Sequence, residues 1–111
     1  MCLKDTLYIF LKEERMSESA FQRKLIRTLN LRFPGCVIRK QDTINYQGSP
    51  DLVIFYKSKW AMLECKESKE SSHQPNQDYW VDKFNSMSYA AFVYPENVEE
   101  VLDELESAFK S

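Results

Sequence analysis

The sequence predicts an α/β fold in which helices flank a mixed central sheet. Three observations carry this. Helix-period stripes of apolar residues alternate with short apolar runs of strand length. A polar turn splits "DLVIFYKSKWAMLECK" (51–66) into two such runs. "YAAFVY" (89–94) is apolar throughout and stops at Pro95, the pattern of a strand covered on both faces. With 111 residues, 43% of them hydrophobic, one domain is expected, burying roughly two-thirds of the surface its unfolded chain exposes.

Along the chain, Leu3, Leu7, Phe10 and Leu11 recur at helical spacing, so residues 1–15 read as a flanking amphipathic helix, although "TLYIFL" reads equally as a strand. Met16 and Ser17 open a clearer helix. Ser17 is the expected N-cap, and Phe21, Leu25 and Leu29 form the buried stripe with Ile26 beside it. Arg23, Lys24 and Arg27 lie off that stripe. "FPG" (33–35) ends the helix and leads into a strand over 36–40, followed by a polar loop, 42–49. A hairpin comes next, with strands at 52–56 and 60–63 and a turn near 57–59. After the loop "ESKESSHQPN" (67–76), a helix over about 75–86 carries Gln77, Trp80, Val81 and Phe84 on one side, with Trp80 read as core. The run 89–94 suits the sheet interior. Asn97 is expected to cap a last helix, 97–110, with Glu100 completing a capping box. Val98, Val101, Leu102, Leu105 and Phe109 form that helix's apolar face, and its acidic face is expected in solvent.

Composition narrows the function classes. No stretch approaches the roughly 18 apolar residues of a membrane span. The first residues lack the shape of a signal peptide, so an intracellular, cytoplasmic protein is expected. Cys2, Cys36 and Cys65 are an odd number with no close pair, which points to neither a disulfide framework nor a zinc knuckle. The net charge is −2, but the acids crowd 96–111, and without those residues the count is 14 basic against 11 acidic. Residues 18–69 hold ten Lys/Arg and five Asp/Glu. A local basic face therefore remains available to phosphate, whatever the bulk charge.

Charged residues at the mouth of the hairpin are its anomaly. Glu64 and Lys66 project to one side of their strand and Cys65 to the other. Folding the hairpin returns 64–66 to the end where Asp51 begins. If Asp51 pairs opposite Glu64 or Lys66, all three charges share one face with strands ~5 Å apart. If it pairs opposite Cys65, it faces away, so the register decides the matter. Glu18, three residues before Phe21 and seven before Leu25, extends the first helix's stripe toward the same end; a first-turn glutamate favoured by the helix dipole is the plain alternative.

Glu18, Asp51 and Glu64 together would repel one another, and a hard divalent cation relieves that conflict. Mg²⁺ suits a few carboxylates plus water and phosphate oxygens. The main-chain carbonyl of Cys65 is a further candidate ligand. Lys66 beside the cation would orient or help deprotonate an attacking water and steady charge on phosphate. Phosphodiester hydrolysis needs this set.

"GSPDLVIF…AMLECK", preceded by "SESAFQRKLIRTL", resembles the PD-(D/E)xK nuclease superfamily, and more narrowly its virus-type replication-repair nuclease (VRR-NUC) domains, often found alone in phages. The resemblance spans residues 17–95 and implies a restriction-endonuclease-like αβββαβ core, with 1–15 and 97–110 as flanks of one domain, 1–111. It implies Mg²⁺- or Mn²⁺-dependent DNA cleavage and, for stand-alone members, Holliday-junction resolution by homodimers. The family's recurring positions fall here on Glu18, Asp51, Glu64, Lys66 and Gln77. Read without it, Gln74 and Gln77 are equal candidates to reach Lys66 or phosphate. His73 reads as a surface residue. Arg23, Lys24, Arg27 and Lys40 are candidate contacts to the DNA backbone. The expected activity is a structure-selective DNA endonuclease. The alternatives are flap, single-stranded or duplex preference, or a non-catalytic DNA-binding module of the same fold.

Overall fold

The computed structural model describes residues 16–42 and 47–111. The helix or strand expected within 1–15 lies outside them. Helix α1, Glu18–Arg32, starts where Ser17 accepts a hydrogen bond from the Ala20 N–H at 3.1 Å, a cap worth about 1 kcal/mol. The expected stripe is buried: Phe21, Leu25 and Leu29 are fully enclosed. Thr28 joins them because its hydroxyl donates to the Lys24 carbonyl one turn back, at 2.9 Å. That bond satisfies a polar group that would otherwise be costly to bury.

After the turn at Gly35, whose φ of +89° favours glycine, the chain lays down strands β1 (Val37–Lys40), β2 (Leu52–Tyr56) and β3 (Lys59–Cys65) as an antiparallel meander. Helix α2 (Gln77–Met87) crosses over to β4 (Tyr89–Val93), which runs parallel to β3. The sheet order is β1-β2-β3-β4, so the sheet is mixed and flanked by helices, as expected. Helix α3 (Val98–Lys110) follows a short 3-10 turn, Pro95–Asn97.

One sheet face carries Leu52, Ile54, Ala61, Leu63, Cys65 and Val93 into a core shared with α1 and the predicted apolar face of α3. Burial on this scale is the main stabilising term, at roughly 1.5–3 kcal/mol per large side chain. The other face receives α2, which buries Gln77 and Val81.

Three expectations are corrected. Among the described residues β4 stands at the edge of the sheet, not its interior, and α2 and α3 both contact it. Asn97 does not cap the last helix with its side chain. Its amide turns back, accepting from the Tyr94 N–H and donating to the Phe92 carbonyl at 2.8 and 3.0 Å. Trp80 is half-buried, outside the main core, stacked on Phe84 with ring centroids 5.5 Å apart. The acidic face of α3 lies in solvent as expected, with Glu99, Glu100, Asp103 and Glu104 exposed; Arg32 pairs with it at Asp103 and Glu106, at 3.0 and 2.9 Å.

Candidate active site

Register decides the position of Asp51. Leu52 pairs with Leu63 across the β2/β3 hairpin, so the residue before Leu52 falls opposite Glu64. Both carboxylates then project on the α2 side of the sheet. Asp51 Oδ2 accepts the Cys65 N–H at 3.0 Å, which extends the ladder through a side chain where β2 has ended. The chain arrives at Asp51 through a close approach. Gly48 sits at φ +88°, and a Cβ there would lie 2.7 Å from the Pro75 carbonyl oxygen. The loop before Asp51 is thus packed on the loop before α2.

Glu64 and Lys66 are only 2% and 5% exposed, and buried charges need partners. Gln77, the first residue of α2, supplies them. Its Nε2 donates to Glu64 Oε2 at 3.0 Å, while its Oε1 accepts from Lys66 Nζ and from the Gln74 N–H, both at 2.7 Å. Lys66 Nζ also donates to the Ser72 carbonyl at 3.1 Å. It lies 4.0 Å from Glu64 Oε2, too far for a strong direct ion pair. Gln77 therefore sits between base and acid as a spacer with every polar atom used.

Glu64 Oε1 is buried with no hydrogen-bond partner among the described residues. Burial, and then the neighbouring Asp51 carboxylate, push the Glu64 carboxyl up to about 8, although Lys66 pulls the other way. Glu18 is raised as well, by burial and then by Asp51. The Cys65 thiol is fully buried, and burial drives it far up.

These groups line an open cavity of ≈ 470 Å³ together with Glu67, Ser71, Ser72 and Gln74. Of the expected site residues, Asp51, Glu64, Lys66 and Gln77 come together, and Glu18 lines the same cavity. Glu18 is exposed at the start of α1 rather than turned inward. It reaches Asp51 through space only. Among the described residues, no three His, Cys, Asp or Glu side chains are gathered into a ready cation cage. The residues nevertheless fit a divalent cation: two carboxyls in contact and a buried oxygen lacking any donor form an anionic seat that a proton or a cation must neutralise.

Arg23, Lys24, Arg27 and Lys40 are not among the cavity's lining. Arg23 and Arg27 are exposed on α1, and Lys24 is half-buried. Lys40, exposed at the end of β1, is followed by Gln41, whose N–H donates to the Asp51 carbonyl at 2.7 Å. Sequence reasoning missed Glu67 and Ser72. Glu67 was legible as the acid next to Lys66, whereas Ser72 acts through its main chain and has no side-chain signature.

No family model and no curated protein matches this sequence. A solved structure described as a VRR_NUC domain does match the fold. Its TM-score is 0.65 at 19% sequence identity, and the match covers 79% of this chain and 96% of that one. The chain has the fold of a VRR_NUC domain.

Proposed function

We propose that this protein is a divalent-cation-dependent DNA endonuclease that acts on branched DNA as a homodimer. The observation that carries the reading is the buried Glu64 oxygen without a donor among the described residues, next to Asp51 and two residues from a buried lysine held by Gln77 and Ser72. Asp51, Glu64 and the main-chain carbonyl of Cys65 are the ligands this reading assigns, with Glu18 swinging in from the rim. When bound, Mg²⁺ or Mn²⁺ supplies Lewis-acid polarisation of the phosphate and a lowered water pKa.

The protein's own groups do the rest. Two of the three Lys66 ammonium protons are committed to Gln77 and Ser72. This fixes the remaining donor toward the cavity, where it orients a water or meets charge developing on phosphate. Gln77 keeps Glu64 and Lys66 apart, so neither neutralises the other. Arg23, Arg27 and Lys40, all exposed, hold the DNA backbone without reading sequence, whereas the Lys24 ammonium is buried. A domain this small has little room for base contacts, which favours selection by DNA shape, and two symmetric sites suit paired nicks across a four-way junction.

Digesting junction, flap, duplex and single-stranded DNA with Mg²⁺ or Mn²⁺ tests this. Wild type is expected to nick the junction fastest, and Lys66→Ala to lose at least about a hundredfold in rate while staying folded. Equal cutting by both proteins overturns the mechanism. Faster cutting of another substrate replaces the junction reading, binding without cutting favours a non-catalytic module, and a monomer in light scattering removes the dimer.

A further inference from the structure

The loop joining Lys66 to Gln77, residues 67–76, holds the lysine. Ser72 gives its carbonyl to Lys66 Nζ, and the Gln74 N–H binds the Gln77 oxygen that also accepts from Lys66. Both contacts come from immediate neighbours of His73. A ten-residue polar loop has no intrinsic reason to keep two main-chain groups in place. Among the described residues the Ser68/Ser71 turn bonds to itself, through the Ser71 N–H to the Ser68 carbonyl and the Ser68 N–H to the Ser71 hydroxyl.

His73 ties the loop to the sheet. Its ring stacks on Phe92 with centroids 4.0 Å apart and planes at 15°. Its Nδ1 lies 2.8 Å from Asp78 Oδ1 in the first turn of α2. Phe92 is the register partner of Glu64 on β4, so the stacked pair stands on the strand beside the site. The next residue, Val93, accepts the Lys66 N–H at 2.9 Å. A single side chain thus grips β4 with its face and α2 with its edge, midway between the two loop groups that hold Lys66.

We propose that His73 is a positioning residue. Clamped between Phe92 and Asp78, it fixes the Ser72 carbonyl and the Gln74 amide, and through them the direction of the Lys66 ammonium. His73 is exposed, as expected of the chain's one histidine, and on this proposal it also has a structural duty toward the site. The proposal rests on the reading of Lys66 as part of a nuclease centre only for its kinetic consequence. The ordering of the lysine stands apart from it.

The test uses full-length His73→Ala and His73→Phe, the second keeping the stack while losing the Asp78 contact. NMR of the Lys66 side chain reads positioning without any substrate. A buried ammonium held by two acceptors gives a slowly exchanging signal; it is expected in wild type, lost in His73→Ala and recovered in His73→Phe. Amide exchange at Gln74 is expected to quicken about tenfold or more in His73→Ala. In DNA cleavage, kcat is expected to fall about ten- to a hundredfold with KM unchanged, and to recover in His73→Phe. A Lys66 signal that persists in His73→Ala overturns the proposal, as does kcat within twofold of wild type once that signal is lost. If wild type cuts no DNA, the nuclease reading fails, and the ammonium and amide signals still decide what His73 does.

Discussion

Replacing Glu64 with glutamine keeps the shape and the bond from Gln77 but removes the titrating carboxyl. Glu64 ionises near 8 in the folded protein rather than at its ordinary 4.5, so between those values the folded state keeps a proton that the unfolded chain has released. Stability from this group is therefore fully present below the unfolded value and lost as pH rises through the folded one. From about pH 5.5 to about pH 7.5 the difference is close to one proton, and the loss is about 2–3 kcal/mol at ~1.4 kcal/mol per pH unit. For a domain of this size that is roughly 8 °C in Tm.

Thermal unfolding of wild type and Glu64→Gln in EDTA, scanned across that range, gives the comparison in which other titrating groups cancel. Glu64→Gln is expected to gain about 8 °C on wild type between the two ends. Millimolar Mg²⁺ or Mn²⁺ is expected to close the gap at the alkaline end, because a cation stabilises the ionised carboxyl that burial disfavours. Parallel Tm profiles for the two proteins would refute the argument, since they would mean that Glu64 titrates alike in folded and unfolded chains.

Other consequences follow from particular contacts. Gly48→Ala puts a Cβ 2.7 Å from the Pro75 carbonyl at a φ that disfavours side chains, so urea unfolding is expected to show a loss of about 1–3 kcal/mol. Leu25→Ala empties a fully buried position in the α1 core and is expected to lower stability by about 2–5 kcal/mol in the same assay. If Arg23 and Arg27 touch DNA backbone, each alanine variant lowers the slope of log affinity against log salt by about one, with no change in sequence preference. Unaltered slopes would move the DNA path off α1.

The pattern of side chains made the elements and most of the candidate site legible because both obey simple periods. Ser17 before a stripe at Phe21, Leu25 and Leu29 was enough to place α1. Strand alternation put Glu64 and Lys66 on one face, and only the register remained open. The register turned on Leu52 meeting Leu63, a choice that no local sequence feature makes. Asn97 was misread because its amide has competing main-chain partners, and Tyr94 with Phe92 won over the helix N-terminus. β4 was misplaced because an all-apolar run reports cover on both faces, and helices supply that cover as well as strands do. Ser72 and His73 were hidden for another reason: their roles lie in a main-chain carbonyl and in a stack on Phe92, neither of which leaves a periodic trace.

On the proposed function, Asp51 and Glu64 form the seat of a divalent cation beside Lys66. Anomalous scattering from a crystal soaked in Mn²⁺ tests it directly. A peak is expected in contact with a carboxylate oxygen of each residue, Glu64 Oε1 among them, and no such peak in Asp51→Asn. A saturating soak that leaves the space between the two carboxylates without a peak would contradict it.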